Sequence, residues 1–363
     1  MNSTFEQARA FFLEGIAHYE AGRLPQAEQK FAAALALMPG RPSVLTNLGA
    51  VRLKLGRPAD ALDLLEEAIA QEPANAEALG HCGAAHAELG HREQALALFD
   101  RALAADPSRA SVWTLRGTLL KELGRFDEAA ASFEKALAQG GDPELNRYYL
   151  AGLAAARAPQ YAPRHYVQAL FDGYAAQFDS HLVQALNYQA PRLLTEPLAA
   201  AGRRYSHALD LGCGTGLCGH YLRAMAQRVT GVDLSPNMLQ KAQVLDVYDE
   251  LRQGDVLEFL GTAQEQYDLV VAADVFVYVG ALDDVFRQLA QLVPAQGSFC
   301  FTVEESRDED LVLRPSLRYA HSESYLRRLA QEHGFALARL EHAPVREDQR
   351  QPIPGLFVWM ERV

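Results

Sequence analysis

Basic residues are in short supply: 34 Lys and Arg stand against 46 Asp and Glu, leaving a net charge of −12 over 363 residues. The deficit is spread along the chain, with 16 basic and 20 acidic side chains in residues 1–157 and 18 and 26 in residues 158–363. A protein that neutralises phosphates needs the opposite balance, so no nucleic acid is expected as a partner. Cysteine is scarce too. Cys82, Cys213, Cys218 and Cys300 are scattered, and the spacing of Cys213 and Cys218 fits no redox or zinc pattern, so no metal is expected. Free thiols in a reducing cytosol are the expectation. A long apolar run is also missing, since the most apolar window, Leu269 to Leu282, carries Asp274 and is too short to span a bilayer. Met1-Asn2-Ser3-Thr4-Phe5-Glu6 lacks the basic and apolar regions of a signal peptide. These absences together predict a soluble, cytoplasmic protein with no membrane association. What is present is 49% hydrophobic residues, enough for real cores in two or three domains.

The first half repeats itself with a period of 34 residues. Gly15, Gly49, Gly83 and Gly117 keep that step, as do Gly22, Gly56, Gly90 and Gly124. Two alanine columns run through Ala27, Ala61, Ala95 and Ala129 and through Ala34, Ala68, Ala102 and Ala136, with Phe31, Leu65, Phe99 and Phe133 between them. Pro39, Pro73 and Pro107 close three units. Small residues suit a close crossing of two helices, the second Gly suits the turn between them, and the large apolar residue is expected to plug the next unit. The pattern resembles the tetratricopeptide repeat, in four units at about 8–41, 42–75, 76–109 and 110–141, followed by a capping helix within 1–157. That resemblance implies a concave face that binds an extended peptide or protein, here with Phe12, Ile16, Tyr19, Leu53 and Lys121 as contacts.

Ala158 to Arg164 holds two prolines and no periodicity, and is expected to be a linker. Beyond it, in 165–363, strands and helices alternate. His207–Leu211, Val229–Val232, Asp268–Ala273 and Ser298–Val303 are apolar runs suited to a parallel sheet covered on both faces. Ser322 to His333 reads as a capped helix, and Phe335–Leu340 and Leu356–Met360 as two final strands. The expected fold is α plus α/β: an all-α solenoid, then a Rossmann-like, seven-stranded, mostly parallel sheet ending in an antiparallel pair.

One motif carries the chemistry. Asp210-Leu-Gly212-Cys213-Gly214-Thr-Gly216 ends a strand in a tight turn, leaving backbone N–H groups and a helix N-terminus open to a polar ligand. Gly214-Thr-Gly216-Leu-Cys-Gly219 also spells the dinucleotide fingerprint, so context decides. Asp233 ends the second strand, 17 residues beyond Gly216, where a carboxylate can accept ribose hydroxyls. Asp255 follows the third strand, where it can accept from an adenine amino group, and Asp210 is placed for a ligand with a cationic amino group. Residues 165–363 therefore resemble the class I S-adenosylmethionine-dependent methyltransferases. The resemblance implies S-adenosyl-L-methionine as cofactor, with Gly212, Cys213, Gly214, Gly216 and Asp210 at its methionine part. Asp233 and Leu234 would then hold ribose and adenine, Asp255 and Val256 the adenine edge, and Ala273 would lie near the sulfonium. Phe171–Asp179 resembles the helix that covers the cofactor in such enzymes, with Tyr174 as its contact.

Methyl transfer from a sulfonium is an in-line displacement driven mainly by positioning, and needs a base only where the acceptor must lose a proton. Ala272-Ala-Asp-Val-Phe-Val-Tyr278 lacks the Asn/Asp-Pro-Pro-Tyr/Phe motif of enzymes acting on planar nitrogens. Tyr278, Glu304, Tyr319 and His321 are the polar candidates over the acceptor, with Tyr278 and His321 as catalytic candidates. Three functional readings follow: a methyltransferase whose repeats recruit a protein, peptide or carrier-bound acceptor; a small-molecule O- or N-methyltransferase whose repeats serve assembly; and a scaffold that only holds cofactor.

Overall fold

Eight helices pair off in the order the repeat dictates: α1 (Asn2–Glu20) with α2 (Leu24–Leu37), α3 (Pro42–Lys54) with α4 (Pro58–Gln71), α5 (Ala76–Glu88) with α6 (Arg92–Ala105), and α7 (Ala110–Glu122) with α8 (Phe126–Ala138). The computed structural model describes residues 2–154, 156–175, 178, 188–348 and 351–363. The chain divides into two units, Met1–Leu150 and Ala151–Val363.

In the first unit the turn glycines Gly22, Gly56, Gly90 and Gly124 all have φ between +71° and +79°, the left-handed region that favours glycine. The other glycine column explains the large apolar one. A Cβ on Gly15 would lie 2.6 Å from Phe31, on Gly49 2.6 Å from Leu65, on Gly83 2.7 Å from Phe99 and on Gly117 2.5 Å from Phe133. Each large side chain thus fills the gap left by a glycine of its own unit, not of the next one as the sequence suggested. The expected capping helix after the fourth unit is α9 (Pro143–Gly152), and Tyr149 stacks on Phe133 with ring centroids 4.8 Å apart.

The second unit is built on a nine-stranded sheet. Its elements run α10 (Arg164–Tyr174), α11 (Ala190–Ala200), β1 (Tyr205–Leu211), α12 (Gly219–Met225), β2 (Ala226–Asp233), α13 (Pro236–Val244), β3 (Glu250–Gln253), α14 (Val256–Thr262) and β4 (Leu269–Ala272). There follow α15 (Asp283–Leu292), β5 (Ser298–Glu305), β6 (Leu311–Leu313), β7 (Tyr319–His321), α16 (Glu323–Glu332), β8 (Phe335–Asp348) and β9 (Gln351–Arg362). Strands β3-β2-β1-β4-β5 are parallel in that order, and β9 runs antiparallel between β5 and β8. The expected seven strands are all there. The two additional ones, β6 and β7, have three residues each and extend the sheet from the last two residues of β5. Runs that short leave no periodicity to read. The reversal of strand order between β1 and β4 opens a crevice at their C-terminal ends, where ligands of open α/β sheets bind. The core on one face gathers Leu209, Val270, Phe276, Phe286, Phe299, Phe301 and Val358, all buried. That on the other gathers Leu194, Leu222, Val229, Val271 and Trp359.

The expected linker is no linker. Ala162 N–H donates to Tyr278 O at 3.1 Å and Ala281 N–H donates to Gln160 O at 2.9 Å. Tyr161 Oη–H donates to Asp284 Oδ2 at 2.9 Å, and Tyr319 Oη–H donates to Pro159 O at 2.8 Å. A segment without periodicity is strapped down by pairing its backbone with 278–281, which the sequence cannot display. Gly280 permits the approach: a Cβ there would meet Gln160 O at 2.6 Å and the Tyr319 ring at 2.7 Å. Gly280→Ala is expected to cost about 1–3 kcal/mol and to lower the unfolding temperature by several degrees. An unchanged melting curve would show that the strap gives way freely.

Candidate functional site

The glycine-rich turn leaves β1 at Leu211 and enters α12 at Gly219. Its three glycines all have positive φ, +62° at Gly212, +54° at Gly214 and +95° at Gly216, but they make room for different things. A Cβ on Gly212 would strike Val275 at 2.5 Å, and one on Gly216 would strike Leu245 at 2.8 Å. Only Gly214 of the three has room for a side chain, with Phe178 the nearest neighbour at 3.9 Å. At Gly212 and Gly216 the packing of the turn itself leaves no room for a side chain, whereas at Gly214 the protein does not crowd that side. Cys213 likewise shapes the turn instead of presenting a group: its N–H donates to Val232 O, its carbonyl accepts from Gly216 N–H, and its side chain is buried.

Three carboxylates ring this cradle. Asp210, at the end of β1, is 1% exposed and accepts from Tyr248 Oη–H at 2.7 Å. Burial pushes it up to about 7, against the lowering effect of the Tyr248 bond, with Asp233 adding to the rise. Asp233 accepts from Gly214 N–H through Oδ2 and from Ser235 N–H through Oδ1, each at 2.8 Å, which ties the second strand's acid to the open glycine. Burial raises this carboxyl as well, opposed by those backbone bonds. Asp255 caps α14 through Oδ1, accepting from Leu257 and Glu258 N–H, and Gly254 beside it has nothing within 4 Å of a would-be Cβ. Leu234 is half-buried, whereas the Val256 side chain lies in the core and can offer a ligand only its backbone. An adenosine bearing a charged amino acid tail fits this set: a buried acid for an ammonium, an acid for a diol, an acid for an exocyclic amine, and a glycine with open space beside it.

Helix α10 closes one side. Asp172 accepts from Ser235 Oγ–H at 2.6 Å, and Asn237 Nδ2–H donates to the Asp172 carbonyl at 3.1 Å, so α10 is docked on the start of α13 next to Asp233. Its aromatic face brings Phe171, Tyr174 and Phe178 together, with Tyr174 and Phe178 centroids 5.3 Å apart. Ala176, Gln177 and Asp179 of the expected covering helix lie outside the described residues. Phe171 meets the ring of Tyr278 edge-on at 5.5 Å, which joins the glycine side of the site to the segment after β4.

That segment contains the half-buried Ala273 and then Asp274, which adopts φ +60°. For a non-glycine residue such a backbone persists only when neighbours hold it. Thr302 Oγ1 accepts from Asp274 N–H at 2.8 Å, and Arg346 Nη1 donates to both Asp274 oxygens at 2.6 and 2.7 Å. Arg346, 3% exposed, also donates through Nη2 to Glu304, whose other oxygen accepts from Arg314 at 2.7 Å. Sequence reading missed Asp172, Tyr248, Arg314, Arg318 and Arg346. Arginines in polar segments read as solvated, and only the β8–β9 pairing carries Arg346 inward.

Of the acceptor-side candidates, Tyr278 is half-buried with Arg318 against its hydroxyl. His321 is not. It is fully buried on β7, its Nε2 bonds the Gly280 carbonyl at 2.7 Å, and burial pushes it down to about 4. A ring with no exposed surface and a committed nitrogen cannot serve as base for an incoming acceptor, so the role assigned to it is withdrawn. Glu304 and Tyr319 are likewise committed, to Arg346 and Arg314 and to Pro159 O. On the repeats, Leu53 is buried among Ala61, Leu65, Cys82 and Ala85, so it is core instead of a groove contact. Phe12, Ile16 and Tyr19 lie half-buried against Phe31 and Leu48, Tyr19 carries Lys54 Nζ 4.5 Å above its ring, and Lys121 is half-buried. All four cysteines are free and buried, and no cluster able to hold a metal occurs among the described residues. No helix among them is long and apolar enough to cross a membrane.

Residues 209–301 match the profile of a methyltransferase domain family, and residues 6–42, 52–119 and 110–138 match tetratricopeptide repeat profiles. A malonyl-[acyl-carrier protein] O-methyltransferase from Enterobacter lignolyticus is 31% identical over 136 residues, 38% of this chain and 52% of that protein. A trans-aconitate 2-methyltransferase from Paracidovorax citrulli is 32% identical over 115 residues, 31% and 43% of the two chains. This chain thus spans about half the length of the curated relatives it matches. Among solved structures, a magnesium protoporphyrin IX methyltransferase from Synechocystis with bound SAH aligns with a TM-score of 0.43 at 18% identity, over 55% of this chain and 99% of that one.

Proposed function

We propose that this chain, in which tetratricopeptide repeats precede a class I S-adenosylmethionine-dependent methyltransferase domain, methylates an acceptor carried by a protein that the repeats engage. The observation that carries the reading is the open Gly214 cradle tied through its N–H to Asp233, with Asp210 and Asp255 beside it at the ends of successive parallel strands. When bound, the cofactor supplies a methyl group already activated on sulfur. The protein's part is to bind, orient and exclude water: Asp233, Asp255 and Asp210 fix the nucleoside and its amino acid tail, and Phe171, Tyr174 and Phe178 wall the site. Positioning of this kind supplies on the order of 7–11 kcal/mol in well-oriented reactions.

A carrier-bound acceptor is favoured because the relative from Enterobacter is named for a substrate on a carrier protein, and because this chain adds a repeat array that such recruitment would use. The relative named for trans-aconitate supports the rival, a free small acid. Labelled cofactor incubated with size-fractionated cell extract separates them, and label is expected in macromolecules. The pair Tyr19→Ser and Lys54→Glu should then raise the apparent KM for the macromolecular fraction about tenfold while cofactor affinity stays put. Equal labelling by the paired variant and the native chain would remove the recruiting role from that face of the repeats.

A further inference from the structure

We propose that the acceptor is a carboxylic acid in its ionised form, held by the Arg318 guanidinium beside Tyr278, and that the product is a methyl ester; this rests on the transferase reading above. The charge census around Tyr278 points to an anion. Arg346 and Arg318 meet there, with Arg314 joined to them through Glu304, while Asp274 and Glu304 supply two carboxylates. Both carboxylates are spoken for: Asp274 by Arg346, and Glu304 by Arg346 and Arg314. Arg318 is half-buried and forms no ion pair among the described residues, so one positive charge is left over. The buried Nε–H of Arg346 also has no hydrogen-bond partner among the described residues. A guanidinium that rests on a phenol and has no carboxylate of its own, next to an orphaned buried donor, is placed to take an anion. A surplus of one charge suits a monoanion, which a carboxylate is.

The second argument is the lack of a base. Among the described residues, every titratable side chain that faces Arg318, Tyr278 and Arg346 from the neighbouring elements is engaged or held neutral. Asp274 and Glu304 are paired as above, Tyr319 donates to Pro159 O, and His321 is bound to Gly280 O. Tyr188, fully buried near Asp274, is held protonated by that burial, and burial also raises the Tyr174 hydroxyl. An alcohol or ammonium acceptor would need a proton removed here, whereas a carboxylate brings its lone pair already free. One carboxylate oxygen donates that pair to form the O–CH3 bond as the carbon–sulfur pair returns to sulfur. Carboxylate and sulfonium become neutral ester and thioether, with no proton to place. The ester no longer pairs with Arg318, which favours its release.

The test uses the full chain, methyl-labelled cofactor and cell extract, followed by mild alkali and collection of volatile label. A methyl ester gives its label up as methanol, and the expected result is loss of most of the label. Label that is transferred but survives alkali, as on nitrogen, sulfur, carbon or phosphate, overturns the carboxylate and leaves the transferase reading intact. No transfer to any fraction overturns the transferase reading, and this inference with it. In the same assay at limiting acceptor, Arg318→Gln should lower labelling about tenfold or more and Arg318→Lys should recover part of it. Calorimetric cofactor affinity should be unchanged in both, which also shows that they are folded. A matching loss of cofactor affinity would place Arg318 on the cofactor's own carboxylate and refute its assignment to the acceptor.

Discussion

Replacing Asp233 by Ala is expected to weaken cofactor binding by about two to four orders of magnitude. Two effects combine. The side chain is placed to accept from a ribose diol, and charge-assisted hydrogen bonds contribute about 1.5–3 kcal/mol each. The same carboxylate accepts from Gly214 N–H and Ser235 N–H at 2.8 Å, so its loss also frees the least crowded glycine of the turn and the N-cap of α13. Asp233→Asn distinguishes the two, because its single carbonyl oxygen can keep one of these backbone bonds while the charge is gone. The ranking expected from calorimetry is native, then Asn, then Ala. Equal affinity in all three would remove Asp233 from the binding site.

The place of Asp233 at the end of β2 was legible in the sequence because its neighbours in space are also its neighbours in pattern. A strand that ends in an acid, a turn rich in glycine and a helix cap are local features, and each leaves a mark within a few residues. The same holds for Ser322, whose side chain caps α16 as expected, and for the turn glycines of the repeat. Local marks also mislead when the partner is distant. The sequence gives no sign that a side chain at Gly216 would meet Leu245 and Tyr248, which lie about thirty residues away in sequence. The column Phe31, Leu65, Phe99 and Phe133 is plain in the sequence, but its target within each unit is visible only once the helices are paired.

The acceptor side was the least legible part, for a related reason. Asp274, Glu304, Arg314, Arg318 and Arg346 come from four separate places, the turn after β4, β5, the loop between β6 and β7, which holds both Arg314 and Arg318, and β8. None of these contributes more than two residues, so no motif forms. His321 was a candidate because a histidine supplies a base near neutral pH. The pairing of β7 with both β5 and β6 buries it instead.

The second large effect concerns pH. Asp210 is 1% exposed and pushed up to about 7 by burial, so near neutrality it is partly protonated in the free protein. A protonated acid cannot pair with the cofactor's ammonium. Cofactor affinity is therefore expected to climb as pH rises from 6 to 8, by up to about tenfold per pH unit below the midpoint, then level off. The folded carboxyl titrates above its unfolded value, so the free protein gains stability from this group at low pH. That gain is lost as pH rises from about 4 through 7. Bound cofactor should offset the loss, so its stabilising effect on the melting temperature should grow over the same interval. Tyr248 sharpens the test. Its hydroxyl donates to Asp210 Oδ2 and lowers the carboxyl against the effect of burial. Tyr248→Phe removes that donor, so the affinity profile should move to higher pH without losing its plateau. Asp210→Asn should abolish the pH dependence and bind weakly throughout. A native profile that stays flat between pH 6 and 8 would mean that Asp210 is ionised in the free protein, or that the ammonium binds elsewhere.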